Sequence, residues 1–97
     1  MFRINRIDRT APHRDAQRVV VFEVHEGQTW RGTDLPRPSI TVEYRGTDRS
    51  IPGYERPAEI SWPSTSDKRP ELAVALAHAL ILANNEAALE ADEEQNS

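Results

Sequence analysis

Cysteine is absent from the 97 residues, which excludes a disulfide framework, a thiolate zinc site and a cysteine nucleophile together. Lysine is nearly absent: Lys68 stands alone against eleven arginines. That bias points to a GC-rich coding genome, a high-GC bacterium or one of its phages, more than to arginine chemistry. Glycine is scarce, and Gly27, Gly32, Gly46 and Gly53 lie scattered. They form no GxGxxG or Walker-type loop, so no phosphate cradle is expected. Uninterrupted apolar runs are short as well. None reaches the ~18 residues needed to cross a bilayer, and no signal-peptide apolar region follows Met1. A soluble, cytoplasmic chain with no membrane partner is therefore expected. Hydrophobic residues make up only 37% and mean hydropathy is −0.69. A chain of this length buries roughly 60–65% of its unfolded surface. One modest core follows, in a single domain expected over 1–90.

What is present falls into two regimes. Residues 17–26 alternate, with Val20, Phe22 and Val24 on one face and Val19, Val21, Glu23 and His25 on the other. A period of two with β-branched content predicts a half-buried strand. Residues 39–45 repeat the pattern through Ile40, Val42 and Tyr44, and residues 58–62 through Ala58, Ile60 and Trp62. A fourth strand is expected at 2–8, where Phe2 and Ile4 share a face and Ile7 takes the other. Gly27, Pro36, Pro38, Pro52, Gly53 and Pro57 punctuate the intervening loops. From about residue 67 the period changes. Ser64, Thr65, Ser66 and Asp67 offer helix N-caps, Pro70 suits a first turn, and nothing from Glu71 to Glu90 breaks a helix. The expected fold is α+β, an antiparallel three- to four-stranded meander packed against one long C-terminal helix at about 67–90. Residues 91–97 are expected to form an acidic, disordered tail.

The helix offers more apolar surface than one sheet can cover. At about 100° per residue, Leu72, Leu76, Ala79, Leu80 and Ala83 form an ordinary core stripe, which Val74, Ala77, Ile81 and Ala88 extend. The resulting arc is roughly twice the ~100° a sheet-packed helix hides. Alanine tolerates exposure and accounts for part of the excess. Val74, Ile81, Leu82 and Leu89 are the side chains expected to meet a second copy of the helix, since two-fold homodimers are the commonest soluble oligomers.

Catalytic equipment is thin. His13, His25 and His78 are far apart in sequence, and none belongs to an HExxH or i,i+4 pair. Ser61, Ser64 and Ser66 lack a G-x-S-x-G elbow and read as turn and cap residues. Glu23, Glu43 and Glu59 fall opposite the expected core, where solvated outer-face charge explains them more simply than paired catalytic carboxylates. No catalytic, cofactor-binding or metal-binding residue is assigned, and no cofactor is expected. A composite site between two chains, with His25 or His78 meeting a carboxylate of the second copy, is a third reading.

Interaction signals are stronger. A loop of about a dozen residues separates the two best strands, where a hairpin needs only ~2–5. It holds Trp30 beside Arg31, and the following loop, 46–57, holds Tyr54 and Arg56. Aromatic and arginine side chains are enriched in binding hot spots. Charge is also split along the chain. Residues 1–18 carry Arg3, Arg6, Arg9, Arg14 and Arg18 against Asp8 and Asp15, whereas the segment from Glu86 onward carries five acids and no base. The favoured reading is a small non-enzymatic modulator, phage-encoded or a bacterial accessory factor, that acts by binding a host protein. It would pair with itself through the helix and touch its partner through Trp30, Arg31, Tyr54 and Arg56. The alternative is a nucleic-acid-binding accessory factor using Arg3, Arg6, Arg9, Arg14 and Arg18 as a phosphate track. A pI near 5.3 opposes it, because dedicated nucleic-acid binders are usually basic, and the favoured plainer reading is that the basic segment pairs with acids on its own sheet or with the tail of a second copy.

Overall fold

Alternation produces the sheet. A computed structural model describes residues 1–13, 16–27 and 37–95, with the side chains of 94 and 95 left aside. Four strands, β1 (Phe2–Asp8), β2 (Val19–Glu26), β3 (Ile40–Arg45) and β6 (Glu59–Ser61), pair antiparallel in meander order β1-β2-β3-β6. A short hairpin of β4 (Asp48–Ile51) and β5 (Tyr54–Arg56) interrupts the connection between β3 and β6. One helix, α1 (Pro70–Gln95), closes the α+β fold by lying across one face of the sheet.

Register decides which side chains meet the helix. Val24 pairs with both Ile4 and Ile40, Phe22 with Arg6 and Val42, and Val20 with Asp8 and Tyr44. Cross-strand partners share a face, so Val20, Phe22, Val24, Ile40, Val42 and Tyr44 form one buried layer against Leu72, Ala79 and Ala83 of α1. Two of those three helix residues are alanine, which lets the helix approach the sheet closely. The opposite face is not simply solvated. Val21 and His25 are buried there and Ile7 is partly so, which corrects the expectation of an open outer surface on β2.

Several boundaries differ from expectation, each for a local reason. The helix begins at Pro70 rather than 67, because a residue before proline is pushed out of the α region. Arg69 instead serves as N-cap, its carbonyl accepting from the Leu72 and Ala73 N–H groups, and Pro70 takes the first helical position. Asp67 accepts from the Arg69 N–H at 3.1 Å. At the other end the helix continues to Gln95, so the expected tail is helical over 91–95 while 96–97 lie outside the described residues. Segment 46–57, expected as a loop, contains the β4–β5 hairpin. Its turn is Ile51-Pro52-Gly53-Tyr54, with Gly53 at φ +79°, and proline followed by glycine is the type II turn signature. Trp62 and Ala58 are exposed rather than inward, since β6 is only three residues long and Trp62 lies beyond its last pair.

The helix also departs from the expectation about apolar length. Pro70–Glu93 includes an 18-residue window of mean hydropathy 1.5, long and apolar enough to cross a membrane by length and composition. Averaging over alanine and leucine absorbs His78, Asn84 and Asn85, which interrupt any uninterrupted run.

Candidate docking surface

Two features sit where α1 meets β1, one polar and one apolar. The polar one lies toward the C-terminal half of the helix. β1 places Phe2, Ile4 and Arg6 on the helix side, so an arginine faces the core where the pattern calls for a third apolar residue. Glu86, buried at 5% exposure, answers it. Its Oε1 accepts from Arg6 Nε at 2.7 Å and its Oε2 from Arg18 Nη2 at 2.6 Å. The Arg6 hydrogen bond, with further help from Arg18, holds the Glu86 carboxyl below the ordinary glutamate range despite burial. One turn later Glu90 accepts from the Tyr44 hydroxyl and from the Thr47 N–H at 3.0 Å. Burial, then the Glu90 hydrogen bond, pushes the Tyr44 phenol well above its usual range. A Cβ on Gly46 would stand 2.9 Å from Glu90 Oε2, so a larger residue there would displace that carboxylate. Glu93 completes the row at 3.5 Å from Arg18. Among the described residues no acceptor meets Arg18 Nε, which is buried.

The acids at the helix end therefore pair with the basic N-terminal segment of the same chain. A helix C-terminus repels acidic side chains, and no base stands in the last turn of α1. Arg6 and Arg18 supply the compensation from outside. A cleft of about 620 Å³ borders this network, lined by His13, Gln17, Arg18, Thr47, Glu90 and Glu93 among others. Its charge is mixed, and Arg18 and Glu90 are already engaged.

The apolar feature lies toward the N-terminal half of the helix. An open groove of about 700 Å³ is formed by Phe2 and Ile4 of β1 and by Glu71, Val74, Ala75, His78 and Leu82 of α1. Arg69 pins this end, bonding Glu26 at 2.5 and 3.1 Å and lying 5.2 Å over the Phe2 ring. β1 is the outer strand of the sheet on this side. Arg9 N–H donates to the Val19 carbonyl and Gly27 N–H to the Met1 carbonyl. In an antiparallel ladder hydrogen-bonded pairs alternate, so odd residues of β1 bond to β2. The N–H and C=O groups of Phe2, Ile4 and Arg6 then point outward, beside the groove, to an edge that no other strand among the described residues pairs with.

The candidate residues divide accordingly. Val74, Ile81 and Leu89 are exposed at 70%, 59% and 50%. Leu82 is not a free surface residue, since it packs against the core while lining the groove. Tyr54 and Arg56 sit together on β5 and are exposed. Trp30, Arg31 and Arg14 lie outside the described residues. Of the remaining arginines, Arg3 and Arg9 are exposed whereas Arg6 and Arg18 are held by Glu86. His13 borders the polar cleft, His78 lines the groove, and His25 is buried 3.1 Å from Glu23. Among the described residues no group of three His, Cys, Asp or Glu side chains converges as a metal site would require. The Glu86 network went unnoticed in the sequence, although one signal was present: Arg6 interrupts the inward face that Phe2 and Ile4 begin. The chain matches no protein-family model, and neither the curated proteins nor the solved structures contain a match to it.

Proposed function

We propose that this chain is a small non-enzymatic protein-binding module that works as a symmetric pair and modulates a second protein. The observation that supports pairing is an apolar groove that Phe2 and Ile4 form with Val74, Ala75 and Leu82, with Glu71 and His78 also in its lining. Leu89 stands exposed farther along the same helix. Leu89 lies five turns from Glu71 at about 3.6 residues per turn, so both face the same way. Extended exposed apolar surfaces on small proteins mark interaction sites.

Contact with the second protein falls to the β4–β5 hairpin. Ile51 and Tyr54 flank its turn at 58% and 61% exposure, with Arg56 beside them. The hairpin follows the end of β3 that meets the C-terminal part of the helix through Gly46 and Glu90. The groove lies along the N-terminal half, leaving both surfaces available together. Nucleic-acid binding has weaker support, because Arg6 and Arg18 already neutralise Glu86.

Sedimentation equilibrium tests the pairing. The natural chain is expected to be dimeric. Combining Val74→Asp with Leu89→Asp should give a monomer of unchanged circular dichroism, since both side chains are largely exposed. A natural chain that stays monomeric at every concentration reached would overturn the reading.

A further inference from the structure

The two edges of the main sheet are built differently. β6 is three residues long and bracketed by Pro57 and Pro63, which blunts that edge against further pairing. β1 is seven residues long, contains neither proline nor glycine, and pairs with β2 in unbroken register. Native proteins protect such an edge by pairing, cover or charge; β1 carries charge at Arg3, Arg6 and Asp8, and Arg6 is already engaged by Glu86. Its outward backbone groups belong to Phe2, Ile4 and Arg6, and its helix-side face opens directly into the apolar groove.

We infer that two copies join edge to edge through β1, antiparallel, with Ile4 opposite Ile4 of the second copy, to make one continuous eight-stranded sheet. This rests on the pairing proposed above and specifies its geometry. Register singles out this arrangement. With Ile4 on the two-fold axis, Phe2 opposes Arg6, Met1 opposes Ile7, and Arg3 opposes Asn5. Apolar residues meet apolar residues, a cation meets a ring, and no like charges face each other. About six backbone hydrogen bonds form, two at each of the close pairs.

Neighbouring registers are worse. Centring on Asn5 sets Ile4 against Arg6 and Phe2 against Asp8. Centring on Arg3 or Arg6 opposes each arginine to itself. Centring on Ile7 pairs Arg6 with Asp8 but leaves Phe2 and Ile4 without partners beside an empty groove. In the favoured register both helices lie antiparallel on one face of the joined sheet, with the groove flanks carrying His78 and Leu82 turned toward each other. Ile81 does not line the groove.

The chain has no cysteine, so single-cysteine variants report the geometry directly. Ile4→Cys, Asn5→Cys, Ile7→Cys and Ile81→Cys would be oxidised under native conditions and resolved on non-reducing gels, beside sedimentation of the natural chain. The expected result is a dimer in the natural chain and a disulfide-linked dimer from Ile4→Cys at a yield at least tenfold above the other three. Because Ile4 is partly buried, the double variant Arg3→Cys/Asn5→Cys provides an independent reading of the same register through their cross-axis pair. Preferential linkage of Asn5→Cys or Ile7→Cys would overturn the register. Linkage of Ile81→Cys alone would overturn the edge pairing while leaving self-association through the helix intact. A natural chain that is monomeric, with no variant linking, would overturn both the geometry and the pairing beneath it.

Discussion

Glu86 shows how one residue can be both a cost and a specification. A carboxylate at 5% exposure is tolerable only while paired, and Arg6 and Arg18 pair it from two different segments. Replacing Glu86 with Gln is expected to lower stability by about 2 kcal/mol, less than the ~3–5 typical of a fully buried pair because Arg6 remains half exposed. Urea titration of the natural and variant chains checks this. Because the folded carboxyl is held below its ordinary value, its stabilisation is complete above the normal glutamate range and is lost as pH falls through the folded pKa. The natural chain should therefore lose stability in acid more steeply than Glu86→Gln. Tyr44 has the opposite sign. Its phenol is raised in the fold, so its contribution is complete below about pH 10 and declines as pH rises further. Tyr44→Phe is expected to cost about 1 kcal/mol at neutral pH and to flatten the alkaline limb of a stability-versus-pH curve.

At the scale of elements, the helix has three surfaces with different duties. Leu72, Ala79 and Ala83 face the sheet, Leu82 straddles core and groove, and Val74, Ile81 and Leu89 are largely uncovered. Charge at these positions should separate them. Leu82→Asp is expected to destabilise the fold by about 2 kcal/mol or more, since it places a carboxylate against packed apolar side chains. Val74→Asp should stay within about 0.5 kcal/mol when thermal unfolding is measured below the concentration at which copies associate. Similar large losses at both positions would place Val74 in the core and remove it from the association surface. In β1, Ile4→Pro removes an N–H that points to the outer edge and leaves the ladder with β2 complete. The expected outcome is a folded monomer, read by circular dichroism together with light scattering.

For the whole molecule, pairing links stability to concentration. If the edges join, the unfolding midpoint should rise with protein concentration, because association stabilises only the folded state. A midpoint independent of concentration over a hundredfold range would contradict the dimer. The split of charge, basic at the start and acidic at the end, has the look of an interaction signal in the linear sequence. In the fold much of it is internal: Arg6 and Arg18 meet Glu86, and Arg18 also reaches Glu93.

The alternation at 17–26 and 39–45 and the unbroken run after Pro70 determined the sheet, the helix and the α+β class on their own, because side-chain periodicity is a local property. The inward layer of Val20, Phe22, Val24, Ile40, Val42 and Tyr44 was legible for the same reason. The β4–β5 hairpin was only half legible: the Pro52-Gly53 turn was visible, but the flanking strands are too short and too exposed to alternate recognisably. Contacts between distant segments lay beyond any local pattern. Only the tertiary structure decided that the acidic end continues the helix instead of fraying, since Glu93, beyond the expected end at residue 90, lies 3.5 Å from Arg18 at the other end of the chain. It also decided that Leu82 packs against the core while lining the groove, and that no other strand among the described residues covers the β1 edge beside it. Which strand is outermost, and which helix flank lies next to it, follows from packing whole elements together, a choice that no single stretch of sequence contains.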